Sequence, residues 1–364
     1  MTECYLVRDE ISERNDTMVN TTQQSILVTG GCGFIGSCFV RKAVQKGYQV
    51  IVLDALTYAG HKENLDGIEG PGSVRLIEGN ICNGSLVSEL LKTYQINALI
   101  NFAAESHVDR SIHSPLSFIE TNIRGTFTLL STSLEYFQGL SEEDKKRFRY
   151  VQISTDEVYG SLGPTGKFSE TTPMAPNSPY SSSKASGDLL VRAWFHTYGL
   201  PTLTTNCSNN YGPRQYPEKL IPHMITCALN NRPLPVYGDG GNIRDWIHVE
   251  DHSDGIFLAL ERGQLGSTYC FGGNAERNNL EVVKTICQEL DRLKPRSDGK
   301  SYSTAIQFVA DRLGHDRRYA IDDTLAQKEL GFNRKYNFEE GLAQTIRWYL
   351  NNNAWCESVT KKNK

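Results

Sequence analysis

The segment SILVTGGCGFIGSCFVRKAVQKGYQVIVLDAL, Ser25 to Leu56, carries the strongest structural signal in this chain. Its first residues, SILVT, are apolar and fit a buried strand, and TGGCGFIGS supplies a glycine-rich turn. SCFVRKAVQKG has the apolar spacing of a helix that ends in glycine, and YQVIVLD predicts a second strand. A strand, a turn, a helix and a strand in this order predict a parallel βαβ unit.

The glycines of this turn, Gly30, Gly33 and Gly36, lie where a dinucleotide could approach the backbone. Asp54 ends the second strand 18 residues after Gly36, close to the spacing expected for an acid that hydrogen-bonds a ribose. The glycines are three apart twice, which differs from the commonest dinucleotide pattern, and a tight turn without a ligand is the alternative. A carboxylate at Asp54 would repel a 2′-phosphate, and Ala55 follows instead of an arginine, so NAD is favoured over NADP.

The alternation of strands and helices continues along the chain. VRLIEGN, NALINFAA and RYVQIST predict strands, and LVSELLKTYQ and FIETNIRGTFTLLSTSLEYF predict helices. The fold class is therefore α/β, a Rossmann-like doubly wound parallel sheet covered on both faces. After Gly199 come short strands, the loop-forming stretch NNYGPRQYPEKLIP, and two helices, NLEVVKTICQELDRL and FEEGLAQTIRWYLNN. These predict a smaller C-terminal α/β substrate-binding part.

The composition excludes several classes of protein. The chain has 364 residues, 39% apolar and 22% charged, and its net charge of -4 argues against nucleic acid as a partner. No apolar run has the length of a membrane span. Nine dispersed cysteines predict reduced thiols in a cytoplasmic protein and no metal site. The stretch HVEDH has its acid in the wrong position for a zinc motif, and we interpret it as a helix start.

Two groups of side chains have the character of a catalytic site. Thr155, Asp156 and Glu157 follow the apolar run YVQIS, and two acids held close in a partly dry site raise each other's pKa. Tyr180 and Lys184, four apart on a predicted helix, share one face, and an ammonium beside a phenol lowers the phenol's pKa and makes it usable as a base. A capping Asp-Glu pair and a surface Tyr-Lys pair are the alternatives.

Together, GGCGFIGS, SHVDRS, STDEVYG and the Tyr180–Lys184 spacing resemble the extended short-chain dehydrogenase/reductase family, in its branch of nucleotide-sugar 4,6-dehydratases. The resemblance extends from Ile26 to Leu350 and includes CSNNYGP, YPEKLIP, IRDWIHVEDH and DRLGHDRRYAID. It implies a hydro-lyase of deoxysugar biosynthesis that converts dTDP-glucose to dTDP-4-keto-6-deoxyglucose and water with bound NAD.

The resemblance also implies roles for the catalytic residues. Tyr180, helped by Lys184 and Thr155, would take the proton of the C4 hydroxyl while hydride passes to NAD. Glu157 would then remove the C5 proton, and Asp156 would protonate the departing C6 hydroxyl before the hydride returns to C6. This chemistry needs one carboxyl protonated and its neighbour ionised. The pKa values of adjacent acids in a dry site tend to separate, which gives that combination.

The same resemblance implies two sets of binding residues. The cofactor-binding set is Gly30, Gly33, Phe34, Ile35, Gly36, Asp54, Ala55, Leu56, Thr57, Asn80, Ile81, Phe102, Ala103, Ala104, Thr121, Tyr180, Lys184 and Asn210. The substrate-binding set is Ser106, Thr155, Asn209, Lys219, Leu220, Pro235, Val236, Tyr237, Arg244, Asn279, Asp311, Arg312, Gly314 and His315. Arg317 and Arg318 fit either solvated charge or substrate contact.

Three positions depart from the family pattern. Asn80 stands where an aspartate usually meets the adenine amine, but its amide oxygen can still accept a hydrogen bond. Asn101 replaces a common histidine before FAAES, and Leu313 interrupts the usual D-R-P-G-H run. We expect weaker but preserved NAD binding from the first change and an altered loop shape from the last.

The family pattern leaves alternatives open and implies an organisation. A UDP-glucose dehydratase and a nucleotide-sugar 4-epimerase are the nearest alternatives, although the acid pair disfavours the epimerase; a non-catalytic NAD-sensing regulator is a third.

FIETNIRGTFTLL and YSSSKASGDLLVRAWF resemble helices that pair in family dimers, so we expect a homodimer. The expected pieces are a flexible extension (1–24), an NAD-binding domain (25–205, with a return segment 240–272), a nucleotide-sugar-binding domain (206–239 and 273–355) and a tail (356–364).

Overall fold

The computed structural model describes residues 24–361. Residues 1–23 of the predicted extension and residues 362–364 of the predicted tail lie outside the described residues. No helix within the described range is long and apolar enough to cross a membrane.

Seven strands form one parallel sheet, which confirms the predicted α/β fold. They are β1 (Ser25–Thr29), β2 (Gln49–Asp54), β3 (Ser73–Glu78), β4 (Ala98–Asn101), β5 (Arg149–Thr155), β6 (Thr202–Cys207) and β10 (Thr268–Phe271). Their order is β10-β6-β5-β4-β1-β2-β3, and every pairing is parallel. The order reverses between β1 and β4, and in a doubly wound sheet such a point marks the ligand crevice at the carboxyl ends of the strands.

Helices cover both faces of this sheet. The helices of the N-terminal half are α1 (Phe34–Gln45), α2 (Gly84–Thr93), α3 (Val108–His113), α4 (Leu116–Phe118), α5 (Thr126–Gln138), α6 (Glu142–Arg147) and α7 (Pro179–Tyr198). Because successive strand residues point to opposite faces, Ile26 and Val28 pack toward α1 and α9 (Val249–Arg262), whereas Leu27 packs toward α2, α5 and α7. The result is a three-layer arrangement with two apolar cores.

The remaining elements build a second, smaller part over the strand ends. The strands are β7 (Asn209–Tyr211), β8 (Leu234–Tyr237), β9 (Ile243–His248), β11 (Glu276–Asn278) and β12 (Ile306–Val309). They form a mixed sheet in the order β11-β9-β7 and a parallel pair, β8-β12. The helices are α8 (Leu220–Leu229), α10 (Asn279–Leu293), α11 (Phe338–Asn351) and α12 (Asn353–Lys361), and they share a separate apolar core. The exact division of the chain into two domains stays a prediction.

Several local expectations were wrong in detail. The long helix predicted at FIETNIRGTFTLL is interrupted by a π-helical segment, Ile119–Gly125, which separates α4 from α5. The wider turn directs Asn122 into the protein, where it is 2% exposed. The stretch NNYGPRQYPEKLIP, interpreted as loop-forming, contains β7 and the start of α8. Residues 356–361 of the predicted tail belong to α12, and the division that defines the tail stays a prediction. The HVEDH stretch does begin a helix, with His248 at the cap position.

Candidate active site

Two adjoining clefts lie at the carboxyl ends of the central strands. The first, here called the glycine cleft, has a volume of about 320 Å³ and is lined by the glycine turn, Asp54 and the Tyr180–Lys184 face of α7. The second, here called the charged cleft, has a volume of about 660 Å³ and is lined by basic side chains of the smaller part. Seven residues line both clefts: Glu157, Asn209, Asn210, Gln215, Tyr216, Glu218 and Lys219. Two ligands could therefore meet at Glu157.

The glycine turn forms a cradle that larger residues would fill. Gly30 has a φ of +67°, and a Cβ there would lie 2.7 Å from the Ala103 nitrogen. A Cβ on Gly36 would lie 2.3 Å from the Gly30 carbonyl oxygen. Helix α1 begins directly after Gly33, whose position has no capping side chain, and its first turn contains no acid. Its first N–H groups and its dipole therefore suit a bound phosphate.

Asp54 is held rigidly at the end of β2. One carboxylate oxygen accepts the Cys32 N–H at 2.8 Å and the other accepts the Leu56 N–H at 2.8 Å. The side chain is 7% exposed and lines the glycine cleft. A fixed carboxylate at this place can hydrogen-bond the hydroxyls of an adenosine ribose.

The structure brings the predicted cofactor residues together. All of them except Leu56 line the glycine cleft. Leu56 contributes its backbone N–H to Asp54 instead, and its φ of +49° marks a tight turn. Asn80 lines the cleft with its amide oxygen accepting the Cys82 N–H at 2.8 Å, which leaves one lone pair of that oxygen for a ligand. The cradle, the helix terminus and the fixed acid fit a dinucleotide.

The two acids occupy different environments in a 3-10 turn, Asp156–Tyr159. Asp156 is 2% exposed, and one of its oxygens has no hydrogen-bond partner among residues 24–361. Burial raises the pKa of Asp156 well above its usual range, and the charge of Glu157 raises it further. Burial also raises the pKa of Glu157, but the nearby cations Arg244 and Lys219 oppose that rise. Asp156 is thus the better proton donor and Glu157 the better base.

Tyr180 and Lys184 lie on one face of α7, beside the end of β5. The Lys184 ammonium donates to the Ile153 carbonyl at 2.6 Å. Burial raises the pKa of Tyr180 well above its usual value, and Glu157 raises it further, whereas hydrogen bonding to Thr155 lowers it. The sequence predicts a lowered phenol pKa, and the structure shows the opposite. Desolvation and the neighbouring acids outweigh the hydrogen bonding to Thr155.

The charged cleft gathers five cationic side chains from distant segments: Arg110, Lys219, Arg232, Arg244 and Arg312. Lys219 donates to the Ser106 carbonyl at 2.8 Å, and Arg244 donates to the Asp316 carbonyl at 2.9 Å while its guanidinium lies 4.2 Å from the Tyr319 ring centre. The predicted substrate residues lining this cleft are Asn209, Lys219, Leu220, Pro235, Val236, Tyr237, Arg244, Asn279, Arg312, Gly314 and His315. Ser106 and Thr155 line the glycine cleft instead.

Asp311 lines neither cleft. It is exposed and accepts a hydrogen bond from His315 at 2.7 Å. Arg318 is buried in a two-bond ion pair with Glu276 at 2.7 and 3.0 Å, so it is neither solvated nor a lining residue. Arg317 forms an exposed ion pair with Asp239 at 3.0 Å.

Sequence reasoning missed several lining residues. Tyr216 and Glu218 line both clefts, and Asp109, Asp316 and Tyr319 line the charged cleft. All five lie inside quoted motifs: Asp109 in SHVDRS, Tyr216 and Glu218 in YPEKLIP, and Asp316 and Tyr319 in DRLGHDRRYAID. An acid next to the basic Lys219 was a usable signal for Glu218, and the position of Asp109 three residues after Ser106 in SHVDRS was a usable signal for Asp109.

A parallel sheet with a dinucleotide cradle beside a Tyr–Lys helix defines the broad class of nicotinamide-dependent enzymes with the extended short-chain dehydrogenase/reductase fold. A sequence-family model described as GDP-mannose 4,6 dehydratase matches residues 27–345 of the chain. The chain belongs to the NAD-dependent epimerase/dehydratase family within that class, as its motifs predict.

Three individual relatives are similar to this chain over nearly its whole length. The dTDP-glucose 4,6-dehydratase of Xanthomonas campestris pv. campestris (strain B100) is 55% identical over 333 residues, which cover 92% of this chain and 95% of the relative. The crystal structure of a dTDP-glucose 4,6-dehydratase from Bacillus anthracis in complex with NAD is 46% identical, with a TM-score of 0.81 over 92% of this chain and 99% of that chain. DesIV, the dTDP-glucose 4,6-dehydratase of Streptomyces venezuelae, solved with NAD and a second ligand, is 42% identical, with a TM-score of 0.84 over 92% of this chain and 100% of that chain.

Proposed function

We propose that this protein is an NAD-dependent dTDP-glucose 4,6-dehydratase, a hydro-lyase that forms dTDP-4-keto-6-deoxyglucose and water. The observation that carries the proposal is the acid pair at the junction of the two clefts, with Asp156 favoured in its protonated form and Glu157 beside cations. Relatives that are 55% identical have this name, and two solved relatives contain NAD.

Tyr180 is the base of the first step. Burial raises the pKa of Tyr180, so the phenolate is a strong acceptor for the proton of the C4 hydroxyl but is sparsely populated at neutral pH, and groups that lower this pKa increase its population. Thr155 lowers the pKa of the phenol by hydrogen bonding. Lys184 lies on the same face of α7, lines the same cleft and donates to the Ile153 carbonyl, and its ammonium would stabilise negative charge on the phenol. NAD bound in the glycine cleft supplies the reversible two-electron oxidation that this deprotonation accompanies.

The acid pair performs the elimination. Oxidation at C4 makes the C5 proton acidic, and Glu157 takes it at the junction of the clefts. Asp156 gives its proton to the C6 hydroxyl, which leaves as water, so one carboxyl accepts a proton and its neighbour donates one. The 3-10 turn holds both residues, since the Glu157 N–H donates to the Thr155 hydroxyl at 3.3 Å.

The charged cleft holds the nucleoside diphosphate. Lys219, Arg244 and Arg312 offer positive charge to two phosphates, and arginine forks suit phosphate oxygens. Leu220, Pro235 and Val236 give the same cleft an apolar wall for the base. A volume of about 660 Å³ is within the range of sites for ligands of this size.

An isotope experiment tests the proposal. With dTDP-glucose that carries deuterium at C4, the product should carry that deuterium at C6, and a turnover in heavy water should place solvent deuterium at C5. Parallel turnover of UDP-glucose measures the preference for thymine over uracil. Loss of the C4 deuterium to solvent, or a product that keeps its C6 hydroxyl, would contradict a 4,6-dehydratase.

We also infer a homodimer that pairs through α5 and α7. Five large apolar side chains of this region are between 48% and 66% exposed: Leu116, Ile119, Phe127, Leu189 and Tyr198. These side chains lie on α4, the π-helical segment, α5 and α7, which pack against one another, and exposed apolar side chains gathered in one region are typical of an interface. Sedimentation should show a dimer that Leu189→Glu dissociates, while Phe308→Glu, at a side chain 57% exposed on β12, serves as the matched control. A monomeric wild-type protein would contradict the inference.

A further inference from the structure

Helix α7 carries a third buried ionisable residue one turn beyond Lys184. Asp188 is 3% exposed and accepts a hydrogen bond from the Ser154 hydroxyl at 2.5 Å. Lys184 is 4% exposed and donates to the carbonyl of Ile153. The two side chains, four residues apart on one helix face, are therefore anchored to adjacent residues of β5. Asp188 itself lines neither cleft.

The protonation states of Lys184 and Asp188 depend on each other. Burial lowers the pKa of Lys184, and Asp188 is the strongest influence that raises it. Burial raises the pKa of Asp188 to about 6, whereas Lys184, Ser154 and Asn206 lower it. At neutral pH the carboxylate is mostly ionised and opposes the cost of burying the ammonium.

We propose that Asp188 is a positioning residue that keeps Lys184 as an ammonium ion and so makes Tyr180 competent as a base. The inference rests on the proposed function for its consequence in turnover. Asp188 touches no reacting atom, and its effect passes through Lys184. Without the carboxylate, the buried amine releases its proton more readily, and the phenolate of Tyr180 loses a neighbouring positive charge.

Other ionisable groups also face this arrangement, and they determine which variants can test it. Cys207 of β6 acts on both Lys184 and Tyr180, and its own pKa is raised by burial. The remaining groups are Tyr150 of β5 and Tyr159, which face Asp188, and Asp156 and Glu157, which face Tyr180. Asparagine has nearly the same shape as aspartate, so Asp188→Asn leaves all of these groups in place and removes only the Asp188 charge that acts on Tyr150 and Tyr159.

The first test is the pH dependence of kcat/KM for Asp188→Asn in the NAD-bound enzyme. Loss of the carboxylate lowers the pKa of Lys184 and therefore raises the pKa of Tyr180, so activity should appear at higher pH. We expect the acidic limb to move up by about one pH unit, equivalent to about tenfold lower kcat/KM on that limb, with KM unchanged within about twofold. An unshifted limb in a folded variant overturns the proposal.

A second readout does not depend on turnover. Phenolate absorbance, measured as the difference between each protein and its Tyr180→Phe counterpart, reports the ionisation of Tyr180 alone. Asp188→Asn should shift it upward, whereas Asp251→Asn should not; Asp251 is a buried carboxylate that accepts the Lys335 and Tyr336 N–H groups away from both clefts. If wild type lacks dehydratase activity, the proposed function fails while this titration still decides the role of Asp188.

Asp188→Ser covers the case in which Asp188→Asn does not fold. It removes the carboxylate and leaves a hydroxyl facing Ser154. The acidic limb and the phenolate titration should move up as in Asp188→Asn. Ser154→Ala is the control and should move neither, because it keeps a carboxylate that is already ionised where Tyr180 titrates. No movement of either readout in Asp188→Ser overturns the proposal.

Discussion

The two clefts differ in how the chain assembles them. The glycine cleft takes its main features from short segments at the ends of neighbouring strands, and much of its shape is backbone, as at Gly30 and Gly36. The charged cleft takes single side chains from segments far apart, and these side chains form ion pairs with one another across the site. Arg312, for example, donates to Asp109 at 3.2 Å across 203 residues of sequence. Local sequence therefore predicts the first cleft better than the second.

Tyr180→Phe should have the largest effect and should separate chemistry from binding in the glycine cleft. The variant lacks the hydroxyl that takes the C4 proton, while the cradle and Asp54 are unchanged. General base catalysis contributes factors of 10² to 10⁴, so we expect kcat to fall by about 10³-fold. NAD affinity, measured by calorimetry, should stay within about threefold because the cradle backbone carries most contacts. Near-normal turnover would exclude Tyr180 as the base.

Glu157→Gln tests the junction at which the two clefts meet. An amide cannot remove the C5 proton, so the reaction should stop after the first oxidation and reduced cofactor should accumulate, visible by its absorbance. We expect product formation to fall by about 10²-fold or more, within the range for loss of a general base. Asp109→Asn, an acid-to-amide change in the charged cleft away from the proposed chemistry, is the matched control and should show no accumulation. Normal product release by Glu157→Gln would remove the elimination step from the proposal.

Asp54→Ala tests whether the glycine cleft selects its cofactor through one fixed carboxylate. Loss of hydrogen bonds to a charged group weakens binding by about 1.5 to 3 kcal/mol, so NAD affinity should fall about tenfold or more. The repulsion of a 2′-phosphate disappears as well, so NADP affinity should rise relative to NAD. Titration of both cofactors measures the ratio, and an unchanged ratio would show that another residue selects the cofactor.

The glycine cleft is built from local segments and the charged cleft from distant side chains, and this contrast also explains which site residues the sequence could predict. Gly30, Gly36 and Asp54 follow from local spacing, because a βαβ unit fixes the place of its own turn and strand end. The start of α8 was missed because Gly212, Pro213 and Pro217, together with two asparagines, make the segment before Leu220 typical of a loop. The direction of the Tyr180 pKa shift was also wrong, because it depends on burial, which neighbouring residues in sequence do not reveal. Asp109 and Arg312 lie within the quoted motifs SHVDRS and DRLGHDRRYAID, but nothing in either motif indicates that they pair across 203 residues of sequence.

Leu313→Pro should have the smallest effect and sharpens the description of the charged cleft. Leu313 is 78% exposed and stands between Arg312, which pairs with Asp109, and Gly314, which has a φ of +63°. The Leu313 N–H donates to no protein group in the described part of the chain, so proline removes no hydrogen bond of the backbone. Proline would fix this residue near a φ of about −65° and favour an extended Arg312.

If the ion pair already holds the loop in a shape that proline accepts, Leu313→Pro should lower KM by no more than about twofold, through reduced loop entropy, and leave kcat unchanged. Leu313→Ala is the control, since it removes the exposed side chain without restricting the backbone, and it should match wild type. A rise in KM of more than about fivefold in the proline variant alone, above 1 kcal/mol in binding, would show that the loop has a conformation that proline cannot adopt. Leu313 in place of the family's proline would then accompany a real change in the shape of this cleft. The Arg312–Asp109 ion pair would not be sufficient to hold the loop in a shape that proline accepts.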